Sequence, residues 1–175
     1  MTYRGPLASN GNAEKKAAIR SAFDVQLAEL WKQEPLCQIS KYLDPTYQPN
    51  DCYLGVRRGS TTYYPVISSK IFTLVELDVL MLRPGDPGAV VRHGGDIDNR
   101  IKTLLDALTV PTSDHPRGDA RDRMFCLLED DKLITRLSVE TDRLLEPDAH
   151  QNHVVLVIHA NVTASSGRMC NIAIT

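Results

Sequence analysis

The chain has 175 residues, of which 42% are hydrophobic and 24% charged, with a formal net charge of −2. That length supports one hydrophobic core without staples, and the mildly acidic balance excludes binding of nucleic acid by bulk charge alone. Cys37, Cys52, Cys126 and Cys170 are scattered with no C-x-x-C and no close His partner, no stretch has the length of a membrane span, and the N-terminus has no apolar h-region. A zinc site, a disulfide framework and an inserted or exported protein are thereby set aside, and a soluble protein of the reducing cytoplasm is expected.

In chain order, Tyr3-Arg4-Gly5-Pro6-Leu7 leads into a first helix over Ala13 to Lys32, with Ile19, Phe23, Leu27, Leu30 and Trp31 on one side and Pro35 stopping it. Pro35 to Ser60 is turn-rich; Tyr53, Leu54 and Val56 suggest a short strand and Thr61 to Val66 another. Phe72 to Leu82 alternates most clearly, placing Val75, Leu77, Val79 and Met81 on one face. After a loop from Arg83 to Gly88, Ile97, Ile101, Leu104, Leu105 and Leu108 form the apolar stripe of a helix over Ile97 to Leu108. Gly94 and Gly95 turn the chain into that helix and Asp96 caps it. A hydrophilic loop from Pro111 to Arg123 precedes a strand over Met124 to Leu128, and a second strand is expected to start at Lys132 in hairpin-like geometry. Leu133 to Leu144 and His153 to Val162 are the last strands, and Thr163 to Thr175 a loose tail. This order predicts one α+β domain over residues 1–162, with helices laid on one side of a mixed sheet, and 163–175 as a flexible tail.

Chemistry concentrates in two acidic segments. Asp98, Lys102 and Asp106 stand one helical turn apart, so they share a surface line beside the positive end of the helix. Asp130 and Asp131 arrive from the strand junction. Mg²⁺ needs only one or two carboxylates because it keeps most of its waters, so Asp96 and Asp98 with one later acid suffice for a site that hydrolyses a phosphodiester. An EF-hand is excluded, because its fifth and sixth positions fall on Arg100 and Ile101, where an oxygen ligand and a glycine are required. Arg117-Gly118-Asp119 spells an adhesion tripeptide of little weight in a cytoplasmic setting.

The pattern Asp96-x-Asp98-Asn99, Lys102, Asp106-Ala107-Leu108 and Asp130-Asp131 resembles the RusA-type Holliday junction resolvases, small Mg²⁺-dependent endodeoxyribonucleases of bacteria and prophages. The resemblance runs from about Asp96 to Leu144, within a motif core at 92–144. The connection from Leu108 to Asp130 is longer than in compact members. The resemblance implies that Asp96, Asp98 and Asp131, with Asp130 beside them, bind Mg²⁺ (Mn²⁺ substituting), and that Lys102 is a catalytic base or phosphate contact. It also implies a homodimer acting on four-way DNA in recombination and repair, leaving 5′-phosphate and 3′-hydroxyl ends. Arg92, Arg100, Lys132 and Arg136 lie near the motif as candidate contacts to the DNA backbone. From Arg92 to Arg136 there are eight Lys and Arg against nine Asp and Glu, a balance that one bound Mg²⁺ reverses.

Two other classes fit part of this pattern. One is a binding module that grips branched DNA or RNA without cutting, which the intact acidic set argues against. The other is a Mg²⁺-dependent hydrolase of nucleotides or small phosphate esters, which suits the acidic balance. Read without the resemblance, the helix line is a solvated face and Asp130-Asp131 a turn. His93, His115, His150, His153 and His159 are read as solvent-exposed rather than as ligands.

Overall fold

The structure is a computed structural model that describes residues 1–47, 52–85, 96–112, 121–146, 150, 152–168 and 170–171, with Asp96 described by its backbone only. Across these residues the elements are β1 (Thr2–Pro6), α1 (Ala13–Leu30), β2 (Val56–Arg58), β3 (Thr61–Ile67), β4 (Thr73–Arg83), α2 (Asp96–Leu108), β5 (Arg123–Leu128), β6 (Ile134–Arg143) and β7 (His153–Ala164). Turns of 3-10 helix lie at Leu36–Leu43, Ser69–Ile71 and Asp131–Leu133. The fold is α+β.

Strand β4 carries the core because its sequence alternates. Val75, Leu77, Val79 and Met81 are each at most 2% exposed, while Leu74, Glu76, Asp78 and Leu80 on the other face are half-buried. On one side β4 pairs antiparallel with β7, whose far edge takes β1, and on the other it pairs parallel with β6. The order β1-β7-β4-β6 makes a mixed sheet. A second sheet, β2-β3-β5, joins β2 antiparallel and β5 parallel to β3.

This corrects the expectation of one sheet with a hairpin at the acidic pair. Strands β5 and β6 are consecutive but belong to different sheets, because β5 takes β3 as its partner and β6 takes β4. The chain crosses between sheets through the turn Asp131–Leu133, so the next strand starts at Ile134, not Lys132. β1 forms where no strand was foreseen, as the edge of the first sheet.

Helix α1 starts where the Asn12 side chain accepts a hydrogen bond from Lys15 N, at 3.0 Å. It packs on β5, α2 and β1 through Ala17, Ile19, Phe23 and Leu27. Leu30, expected on the same side, is 38% exposed, and Trp31 just beyond the helix is buried instead. The loop entering α1 sits hard on α2: Gly11 N donates to Thr103 Oγ1 at 3.0 Å, and a Cβ at Gly11 would come within 2.5 Å of Thr103 Cγ2. Any larger residue there would have to displace the Thr103 side chain. No helix among the described residues is long and apolar enough to cross a membrane.

The expected loose tail is partly packed. Residues 163 and 164 extend β7, Cys170 and Asn171 are buried, and Asn171 Nδ2 donates to Ile71 O at 2.9 Å and to Ser166 O at 2.8 Å. Removing residues 165–175 is expected to lower the unfolding free energy by about 2 kcal/mol, the scale of the two hydrogen bonds that tie the segment to the rest of the fold, Asn171 Nδ2 to Ile71 O and Ser165 N to Phe72 O. Urea denaturation followed by circular dichroism checks this; an unchanged midpoint would mean that the tail carries no stability.

Candidate active site

The site is built by fastening the end of α2 to the end of β5. Thr109 forms a parallel bridge with Leu128, and Val110 N donates to Leu128 O at 3.0 Å. Both Leu128 and Val110 are buried. From α1, the buried Arg20 donates to Asp106 O at 2.6 Å and to Thr109 O at 3.3 Å, placing a cation at the carbonyl end of α2 where the helix dipole is negative. Beyond β5, Glu129 N donates to Ile67 O at 2.9 Å, and Glu129 Oε2 accepts from Ser68 Oγ, Ser69 N and Ser69 Oγ, each at 2.8 Å. Residues 129–131 therefore leave β5 on a fixed course past the helix.

That course brings Asp131 to α2. A cleft of about 540 Å³ between α2 and β6 is lined by the apolar Ile97, Ile101, Leu105, Leu137 and Val139 and by the charged Asp98, Lys102, Asp106 and Asp131. The line of Asp98, Lys102 and Asp106 inferred from helical spacing is thus one wall of a real cleft, faced by an acid from the strand junction. The apolar stripe of α2 divides accordingly. Leu104, Ala107 and Leu108 enter the core, Ile97 and Leu105 are half-buried and line the cleft, and Ile101 does both, buried in the core and bordering the cleft.

The charges around the cleft differ in what they are committed to. Asp106 is held by Lys16 of α1, with Nζ 2.7 Å from Oδ2. Asp130 caps its own turn, accepting Lys132 N at 3.0 Å and pairing with Lys132 Nζ at 3.2 Å. Asp98, Lys102 and Asp131 are exposed and make no ion pair among the described residues. The groups left outside ion pairs are two carboxylates and one amine around one cleft, with the Asp131 side chain in hydrogen-bond contact with that of Asp130. Hard oxygen donors without Cys or His suit Mg²⁺, which asks for few protein ligands. Among the described residues no group of three or more His, Cys, Asp or Glu lies close enough to hold a metal ion. Of the expected ligands, Asp98 and Asp131 share the cleft, Asp130 serves the turn, and the Asp96 side chain lies outside the described residues.

The expected DNA contacts need correction. Arg100 is 6% exposed, and its guanidinium donates to Leu7 O and, at 3.1 Å, to Asn152 Oδ1. It sits four residues before Leu104 on the buried side of α2 and clamps the exit of β1 to the entry of β7, so it is not a surface contact. Arg136 forks onto Asp78 at 2.9 and 3.1 Å and onto Glu76 at 3.1 Å; the hydrogen bonds it donates to Asp78 lead in raising its pKa. Two carboxylates thus offset its charge. Lys132 is exposed beside Asp130. Arg92, His93, His115 and Arg117-Gly118-Asp119 lie outside the described residues.

Sequence reasoning missed Lys16, Arg20 and Arg58, which line a neighbouring cavity with Asp106, Asp130 and Asp131. Arg20 left one signal, its place beside Ile19 on the buried flank of α1. Lys16 and Arg58 left none, since they come from elements far away in the chain. Comparison of the chain with family models, with curated proteins and with solved structures found no match.

The amide of Lys132, its side-chain amine and its charge together hold the Asp130 carboxyl below the usual range, with the backbone hydrogen bond the leading cause. A carboxyl lowered in the folded state stabilises its turn above the ordinary carboxylate pKa, and that contribution is lost as pH falls through the lowered value. The amide proton of Lys132, followed by NMR, is therefore expected to titrate with a midpoint below about 3.9, the ordinary Asp value. A midpoint at or above that value would contradict the capping role.

Proposed function

We propose that this chain is a Mg²⁺-dependent endodeoxyribonuclease that cuts phosphodiester bonds at four-way DNA junctions, with a RusA-like fold and two copies acting together. The observation that carries the reading is the meeting of Asp98 and Lys102, both on α2, with Asp131 from the strand junction around one cleft, none of the three in an ion pair among the described residues.

Asp98 and Asp131 would hold the cation, with Asp96 preceding them on α2. When bound, the ion would supply a Lewis acid for the phosphate and lower the pKa of the attacking water so that it gives up its proton more readily. Lys102 Nζ, one turn from Asp98, donates a hydrogen bond to a non-bridging phosphate oxygen and fixes the scissile group. Asp106, neutralised by Lys16, keeps the lower end of the cleft from repelling that phosphate. Asp130 acts by holding the turn that presents Asp131. A junction has to be nicked on two strands, which a two-fold dimer with one site per copy accomplishes.

Replacing Asp98 with Asn is expected to leave folding and junction binding intact while cutting cleavage in Mg²⁺ by at least about a hundredfold, since even residues behind a metal ligand are worth ten- to a hundredfold. Labelled four-way junction, linear duplex and free nucleotides are incubated with each protein and resolved on a gel. Paired nicks in the junction, lost in Asp98→Asn, support the reading. Retained cleavage by the variant refutes the assignment, and turnover of nucleotides alone favours the small phosphate ester hydrolase.

A further inference from the structure

Beyond Asp106 and Asp131 the cleft gives way to a second cavity of about 410 Å³, walled by Lys16, Arg20 and Arg58 and by the acidic run from 129 to 131. The charges here are unequally committed. Glu129 is taken by Ser68 and Ser69, Asp130 by Lys132, Asp106 by Lys16, and Arg20 donates to the carbonyls at the end of α2. Arg58 differs. Its Nε donates to Pro111 O at 2.9 Å and one Nη to Arg57 O at 3.0 Å, bonds that fix the guanidinium plane without offsetting its charge. No carboxylate pairs with it among the described residues, and it is half-buried at the cavity wall. A guanidinium has five N–H donors, so donors remain for an anion that enters.

We propose that this second cavity is a phosphate subsite, in which Arg58 binds a backbone phosphate of the nucleic acid flanking the one cut at Asp98 and Asp131. The inference rests on the nuclease reading and extends it. Phosphate neutralisation supplies most of the affinity of such a protein, yet Arg100 is buried and Arg136 is spent on Asp78 and Glu76. The affinity has to come from other cations, and Arg58 and Lys102 line adjoining cavities that meet at Asp106 and Asp131. Lys16 lies between them, also lining the small pocket that holds Lys102, and its pairing with Asp106 offsets one of the two carboxylates the cavities share, the other being Asp131, the proposed cation ligand. The guanidinium fork adds orientation to charge.

The test is the salt dependence of binding to a synthetic four-way junction without divalent metal, for the wild-type protein, Arg58→Gln and Arg58→Lys, each checked for an unchanged thermal melt. A phosphate contact contributes about 0.9 to the slope of log K against log salt. Arg58→Gln is expected to lower the slope by about one and to weaken binding severalfold, whereas Arg58→Lys, which keeps the charge but loses the bond to Pro111 O, is expected to retain the slope. Equal slopes for wild type and Arg58→Gln, in a wild-type protein that cuts the junction in Mg²⁺, would overturn the subsite and leave the nuclease standing. Equal losses in Gln and Lys would also overturn it, since the effect would then come from the tether to Pro111. A wild-type protein that neither binds nor cuts the junction would remove the nuclease reading and the subsite together.

Discussion

The seam between the last turn of α2 and the last residue of β5 is what the site depends on. Each of these elements is placed by its own packing, α2 by Leu104 and Leu108 in the core and β5 by its pairing with β3. The bond from Val110 N to Leu128 O joins them in a buried setting, where an unpaired amide or carbonyl is costly to leave. Because the acidic run begins one residue after Leu128, its position relative to Asp98 is determined by that bond and by the bonds of Glu129 to the turn at Ser68. Glu129 is thus more useful as an anchor than as a ligand: its carboxylate accepts three hydrogen bonds and the next two residues inherit its orientation.

A chain with a net charge of −2 is a poor electrostatic partner for DNA, and the proposed function has to be reconciled with that; of the acids near the cleft, Asp106 is offset by Lys16 and Asp130 by Lys132. What remains is a pair of carboxylates suited to a divalent cation, with Lys102 and Arg58 on either side. A bound cation would make the region attractive to phosphate without a basic surface elsewhere. The half-exposed ion pairs add little stability of their own.

Legibility in the sequence followed periodicity. The alternation of Val75, Leu77, Val79 and Met81 and the stripe of α2 are local patterns, and both elements lie where those patterns put them. The line of Asp98, Lys102 and Asp106 was visible for the same reason. β1 was hidden because a five-residue segment containing Gly5 and Pro6 has no alternation strong enough to announce a strand, and it exists only through its pairing with β7. Separation into two sheets depends on non-local pairing that no window of sequence carries. Arg100 was misplaced because charge was weighed above spacing: its position four residues before Leu104 marked the buried side, where backbone oxygens take the place of water. Lys16 and Arg58 reach the cavity only through the fold.

The central claim is that Asp98 and Asp131 face one cation across the cleft, and the most direct measurement is a crystal of the protein soaked in Mn²⁺ with diffraction recorded at the manganese edge. The account predicts an anomalous peak in the cleft, bonded at about 2 Å to carboxylate oxygens of both Asp98 and Asp131. A cleft without a peak, or an ion held elsewhere by other residues, would contradict it.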